Sequence, residues 1–203
     1  MPNSDRYRQL VARVSQLRRH LLPKTFDLTG SYQSKHYDRA KAFRLIAHAE
    51  VESYIEDRVV QVANLAVQRW LSTQTLTACV AALLAFHESK NTPPSSLLNP
   101  PQSGPDHLAE RLKRAQTALN TYARVTNNGV REQNVLKMFL SVGIDVNGID
   151  LVWLTTLDSW ARERGEFAHK AHVQVLNDPK SELDTALDIL RGLAKIDSEL
   201  DSC

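Results

Sequence analysis

The stretch that decides the fold is residues 38–71, DRAKAFRLIAHAEVESYIEDRVVQVANLAVQRWL. It contains neither proline nor glycine, and its apolar residues recur every three or four positions, which is the period of an amphipathic helix. This pattern predicts one long helix from about Asp38 to Leu71. Its expected inner face consists of Phe43, Ile46, Ala47, Val51, Tyr54, Ile55 and Val62.

The rest of the chain shows the same helical period between short turn signals. We expect a first helix that begins at Ser4 or Asp5 and ends before Pro23. Further helices are predicted at about 73–88, 106–124, 130–142, 149–162, 167–175 and 180–198. A proline-rich window, 89–106, is expected to be a loop insertion, because its five prolines exclude a regular element. We therefore predict an all-α bundle, with residues 1–203 as one domain and 38–198 as its core.

Composition narrows the functional classes only slightly. The net charge of +2 is too small to indicate a nucleic-acid binder by itself. The two cysteines, Cys79 and Cys203, form neither a disulfide framework nor a zinc pattern, which favours a reducing compartment. The longest apolar run, 78–86, is too short to cross a bilayer, and the N-terminus lacks the apolar region of a signal peptide. We expect a cytoplasmic protein without a membrane partner.

The hexapeptide RGEFAH, residues 164–169, carries the residue types that RNA cleavage needs. Arginine keeps its charge and binds phosphate, whereas histidine exchanges a proton near neutral pH. On an uninterrupted helix Arg164 and His169 lie about 140° apart around the axis. Because Gly165 lowers helix propensity, we expect a new helix to start there, with free backbone N–H groups that suit a phosphate. The alternative is a solvated Arg164 and a hydrogen-bonded core His169.

Three stretches together resemble a known family. The Arg164-x4-His169 spacing on a late helix is similar to the Arg-x4-6-His motif of HEPN-domain endoribonucleases. Residues 43–56, FRLIAHAEVESYIE, resemble the early helix of the RiboL-PSP-type HEPN subgroup. Residues 131–145, with REQNVLKMF followed by VGID, resemble the segment that precedes its motif helix. The resemblance covers about residues 38–190. The chain departs from it at Gly165, where many members carry a polar residue.

The resemblance implies a HEPN-like helical bundle and a metal-independent endoribonuclease that acts as a homodimer on RNA. His169 would exchange protons with the ribose 2′-hydroxyl and the leaving oxygen, and Arg164 would hold the scissile phosphate. It also implies a toxin or antiphage defence effector, with a neutralising antitoxin or defence partner. We expect neither a metal nor a cofactor, because Glu166, His169 and His172 match no recognised zinc pattern.

Other residues have candidate supporting roles. Glu52 would orient Arg164 or His169, unless it is a solvated residue that pairs with a nearby arginine. Glu166, Lys170 and Arg44 are the candidates for substrate binding, since basic side chains contact phosphates. Two alternative functions remain open: a non-catalytic HEPN-like module that binds RNA or protein, and a helical scaffold in which Arg164 and His169 are incidental.

Overall fold

Helices account for nearly all regular structure in the computed structural model. It describes residues 3–87, 108–169 and 177–203, and for 163–169 it describes the backbone only. This part of the chain contains no strand and seven α-helices: α1 Asp5–Leu21, α2 Ser34–Thr73, α3 Ala78–His87, α4 Leu108–Thr121, α5 Glu132–Ser141, α6 Leu151–His169 and α7 Pro179–Leu200. The all-α prediction is confirmed. The proline-rich window 89–106 and the segment 170–176, which includes Lys170, lie outside the described residues.

The predicted long helix is present as α2, which is 40 residues long. Helices α1, α3, α4, α5, α6 and α7 all contact it, and their apolar side chains form one core cluster with its own. The inner face was predicted correctly except at Ile46, which is 37% exposed. Arg44 and His48 are buried instead, because the face that packs against α6 and α7 is displaced around the helix from Ile46.

The helix ends follow local chemistry. Ser4 caps α1 through its hydroxyl, which accepts a hydrogen bond from the Tyr7 N–H. Asp178 caps α7 in the same way, and Pro179 occupies the first helical position, where its missing N–H costs nothing. After α4 the chain forms a π-helical turn, Tyr122–Thr126. This helical segment ends at Asn127, as predicted. Among the described residues no helix is long and apolar enough to span a membrane.

A buried carboxylate joins the two ends of the chain. Asp197 of α7 is fully buried and accepts hydrogen bonds from the Ser4 N–H, the Ser4 hydroxyl, the Tyr54 hydroxyl and Arg58 Nε. Burial raises the pKa of Asp197, but these bonds and the charge of Arg58 outweigh it and hold the pKa below its usual range. The first 35 residues, which the family resemblance leaves unexplained, are therefore anchored to α2 and α7 through α1.

The prediction of a helix break at Gly165 is wrong. Helix α6 runs without interruption from Leu151 to His169, so it includes residues 163–166, where a break between two helices was predicted. One glycine costs a helix only about 1 kcal/mol, and the packed residues before it continue the same helical face. Arg164 therefore lies inside a helix, where its neighbours' N–H groups are bonded along the helix and do not form a phosphate site.

Candidate functional site

Helix α2 carries a row of polar side chains at positions where a helical bundle normally buries apolar ones. Arg44, His48 and Glu52 follow one another at four-residue spacing, so they lie on successive turns of one side of the helix. We call them the polar row. Arg44 is 5% exposed, His48 is 1% exposed, and the Glu52 side chain is 17% exposed. Buried charged groups are costly unless they are paired, so their partners define the site.

His48 connects the polar row to α6. Its ring packs on the indole of Trp160, with ring centroids 5.2 Å apart and planes inclined by 35°. Its Nδ1 atom lies 3.7 Å from the Glu52 carboxylate, one turn further along α2. His48 was not among the predicted site residues, yet it lies between the Glu52 carboxylate and Trp160 of α6.

Glu52 contacts both His48 and the turn that contains Gly129. Its Oε1 accepts a hydrogen bond from the Gly129 N–H, in the turn that precedes α5. One helical turn along α2, Glu56 Oε1 accepts a hydrogen bond of 2.7 Å from the Asn127 side chain of the same turn. Burial raises the pKa of Glu56, and the hydrogen bond from Asn127 only partly offsets this. Glu52 is therefore not a solvated helix residue, and the arginine alternative fails because Arg58 pairs with Asp197 and Asp201.

The turn that Glu52 holds is also attached to α6. Arg131 Nε donates to Asp158 at 2.7 Å, and the Glu132 N–H donates to the same carboxylate oxygen at 3.0 Å. The hydrogen bond from Arg131 is the main reason that the pKa of Asp158 lies below its usual range. Residues 127–132 thus connect α2 to α6 just before the RGEFAH stretch begins.

Arg44 is not a solvent-facing phosphate contact. Its guanidinium forms a buried ion pair with Glu182 of α7, with Nη1 and Oε1 3.3 Å apart. The Asn177 side chain donates a hydrogen bond to the same Oε1 atom at 2.5 Å. This pair places α2 against the start of α7, and Glu182 balances the charge of Arg44, which was a candidate for substrate binding.

The continuous α6 sets the register of the two motif residues. Position 164 follows Trp160 by one turn of α6. Position 169 follows Leu151, which is 73% exposed, by five turns. The two motif positions are therefore about 140° apart around the axis of α6. The side chains of Arg164, Glu166 and His169 lie outside the described part of the chain.

The sequence contained a signal for His48, the member of the polar row that was missed. Arg44, His48 and Glu52 border the apolar stripe of α2 at regular spacing, and polar residues at such positions indicate a buried polar site. Trp160 and Glu182 carried no comparable signal, because their importance depends on how α6 and α7 pack. Among residues 3–87, 108–162 and 177–203, no three His, Cys, Asp or Glu side chains are grouped so that they could hold a metal ion.

Comparisons of the chain with protein-family models, with curated proteins and with solved structures found no match. The HEPN resemblance therefore depends on the motif residues and on their placement, and it enters the next section as a proposal.

Proposed function

We propose that the protein is a metal-independent endoribonuclease of the HEPN type, with an active site that forms between two copies of the chain. The observation that carries the proposal is the polar row, whose His48 packs on Trp160 of the helix that contains Arg164 and His169. A scaffold would gain stability from apolar residues at these positions, since a buried ion pair adds little over well-packed apolar side chains. A functional site beside the motif would explain why the polar row occupies these positions in place of apolar residues.

We assign Glu52 a supporting role. Its carboxylate lies 3.7 Å from Nδ1 of His48, and His48 packs on Trp160 of α6, the helix that contains Arg164 and His169. Glu52 would therefore act on the motif helix through His48 and Trp160.

The chemistry assigned to the motif follows from the residue types. His169 removes the proton from the ribose 2′-hydroxyl, the 2′-oxygen attacks phosphorus, and the bond to the 5′-oxygen breaks as that oxygen takes up a proton. The products are a 2′,3′-cyclic phosphate and a 5′-hydroxyl. Arg164 binds the phosphate and stabilises the charge that develops on its oxygens. A proton donor and acceptor near neutral pH is the usual property of histidine.

A second copy resolves the divergence of the two residues on α6. Because Arg164 and His169 lie on different sides of one helix, a single chain does not bring them to one phosphate without a large reach. The open side of α6 carries the exposed Leu151 in line with residue 169, and a partner helix would cover both. Pairing two chains along this side would bring the two copies of residue 169 together, and the HEPN resemblance implies that both Arg-His sets share the cleft formed there.

The divergence also favours the second candidate, a non-catalytic HEPN-like module that binds RNA or protein. One experiment separates the two: cleavage of mixed RNA in EDTA by the wild type and by the Arg164→Ala and His169→Ala variants. We expect both variants to lose activity by about 100-fold or more. The exposed residues Arg162 and His20 supply matched controls, since Arg162→Ala and His20→Ala should retain activity. Intact RNA that is nevertheless bound by the wild type would support the non-catalytic module.

The dimer has its own test. Leu151→Asp introduces a charge at an exposed position of α6, so the fold should tolerate it while the dimer dissociates. Leu28→Asp is the control, because Leu28 is fully exposed in the loop between α1 and α2. We expect light scattering to show a monomer for Leu151→Asp only, with loss of cleavage. A Leu151→Asp variant that cleaves RNA as a monomer would contradict the shared cleft.

A further inference from the structure

A cavity outside the polar row lies between the end of α3 and one side of α5. Its volume is about 560 Å³, within the range of about 300–1,000 Å³ that is typical of ligand sites. Phe86, Leu136 and Leu140 supply its apolar side chains, and its other described lining residues are polar. An apolar wall with a few polar groups is the usual composition of a binding site.

Phe86 gives the cavity an exposed aromatic residue. Phe86 is 55% exposed, whereas the other phenylalanine, tyrosine and tryptophan side chains in the described part of the chain are buried or partly buried. A single exposed apolar residue is common on protein surfaces, so its surroundings decide what it indicates. Beside a cavity that contains a cation, an exposed ring suits a nucleic-acid base, because every base presents a flat face for stacking.

Lys137 supplies the positive charge of the cavity. The described residues that line it include no aspartate or glutamate. Lys137 Nζ lies 3.8 Å from the centroid of the Tyr122 ring, and this cation–π contact restricts the position of the ammonium group. An ammonium group has three N–H donors, so it can still donate to a phosphate oxygen. The cavity therefore presents a positioned cation beside the apolar wall.

His87 joins the two helices and adds no charge. Its Nε2 atom lies 2.8 Å from Ser141 Oγ, and the Ser141 hydroxyl donates to the Lys137 carbonyl at 2.7 Å. Nε2 is therefore the protonated ring nitrogen, which donates to Ser141. Burial and the charge of Lys137 lower the pKa of His87, so the ring is neutral at pH 7. The described lining thus has a net positive charge from Lys137, which favours an anionic ligand group such as a phosphate.

We propose that this cavity binds one nucleotide of a single-stranded RNA, whose base stacks on Phe86 and whose phosphate lies at Lys137. The choice of RNA as the ligand rests on the proposed nuclease function. The site adds a contact for the strand on α3 and α5, in addition to the motif positions on α6. Bases in a duplex stack on one another, so the site selects RNA with unpaired bases.

Fluorescence anisotropy with a fluorescein-labelled single-stranded RNA tests the site in full-length His169→Ala protein, which should not cleave the probe. Phe86→Ala should weaken binding by about 5- to 150-fold, the usual range for removal of one base–aromatic stack. Phe86→Tyr should retain binding, whereas Phe86→Leu, which has an apolar side chain without a ring, should not. Lys137→Ala should weaken binding and make the slope of log K against log salt concentration shallower by about 0.7. Leu65→Ala and Lys35→Ala, at exposed positions of α2, are the matched controls.

The site is refuted if Phe86→Ala binds the RNA as tightly as Leu65→Ala, or if Phe86→Leu binds as tightly as Phe86→Tyr. An equal loss of affinity for duplex RNA of the same sequence would refute the selection of unpaired bases. Displacement of the RNA by AMP or UMP at equal nucleotide concentration would overturn the choice of RNA and assign the cavity to free nucleotides. Binding that depends on Phe86, in a wild type that leaves RNA intact, would keep the site and refute the nuclease. RNA cleavage with an unchanged KM in Phe86→Ala and Lys137→Ala would do the reverse.

Discussion

Replacement of Asp197 by asparagine should destabilise the protein by about 3 kcal/mol or more, the lower end of the cost of breaking a buried ion pair. Asp197 Oδ2 accepts from the Ser4 N–H at 2.6 Å, and Oδ1 accepts from the Ser4 hydroxyl, the Tyr54 hydroxyl and Arg58 Nε, each at 2.8 Å. Asparagine retains one acceptor oxygen and turns its NH₂ group toward a donor. One buried donor is then unsatisfied, which alone costs about 1–3 kcal/mol. Asp201 still pairs with Arg58, which limits the total.

Urea unfolding followed by circular dichroism at pH 7 measures this loss. With a urea dependence of about 2 kcal/mol per molar, the midpoint should fall by about 1.5 M. Asp188→Asn is the matched control, because its exposed pair with Arg191 should be worth less than about 0.5 kcal/mol. An Asp197→Asn midpoint within about 0.5 M of the wild type would refute the assignment of Asp197 as the residue that holds α1 to α2 and α7.

The same substitution changes the response to acid. The pKa of Asp197 is lower in the folded protein than in the unfolded chain. Its contribution to stability is therefore complete above the unfolded value of about 3.9 and is lost as the pH falls from there through the folded value. The wild type should lose stability over this interval, and Asp197→Asn should lose less of it. A parallel pH dependence of the two proteins would contradict this linkage.

Two further substitutions test the packing around the site. Gly192→Ala would place a Cβ 2.1 Å from the Trp153 ring, so it should reduce the free energy of unfolding by about 1–3 kcal/mol. Gly148→Ala is the control, because its Cβ would enter open space and leave stability unchanged. Equal melting temperatures for the two variants would contradict the contact between Gly192 and Trp153. Glu52→Ala leaves the buried Gly129 N–H without its acceptor and should cost about 1–3 kcal/mol. Faster amide exchange at Gly129 would confirm the bond, and unchanged exchange would rule it out.

The long-helix pattern was strong enough to predict most of the fold. Periodicity over residues 38–71 predicted α2 to within a few residues, and Ser4 and the Asn127–Gly129 turn marked helix ends correctly. These signals depend only on residues close together in the sequence, so they can be recognised without knowing how the helices pack. The break at Gly165 was wrong for the opposite reason: the local cost of one glycine is small, and the continuous packed face of α6 offsets it.

The candidate site was less predictable because it depends on contacts between helices. Glu52 was predicted to orient Arg164 or His169, which stays a prediction; its observed partners, His48 and Gly129, lie on α2 and on a turn distant in sequence. Arg44 was predicted as a substrate-binding residue, and only the approach of α7 shows that it is buried in an ion pair with Glu182. The same amphipathic pattern is compatible with several different packing partners. Sequence periodicity therefore predicts which side of a helix is buried, but not which helix packs against that side.

The central claim is tested most directly by one substitution in the substrate. An RNA oligonucleotide that the protein cleaves at a single site is compared in EDTA with the same oligonucleotide carrying a 2′-deoxyribose at that site. We predict that cleavage stops at the deoxy position, and that the products of the unmodified RNA carry a 2′,3′-cyclic phosphate and a 5′-hydroxyl. Cleavage of the deoxy substrate, or cleavage that disappears in EDTA and returns with a divalent metal ion, would contradict it.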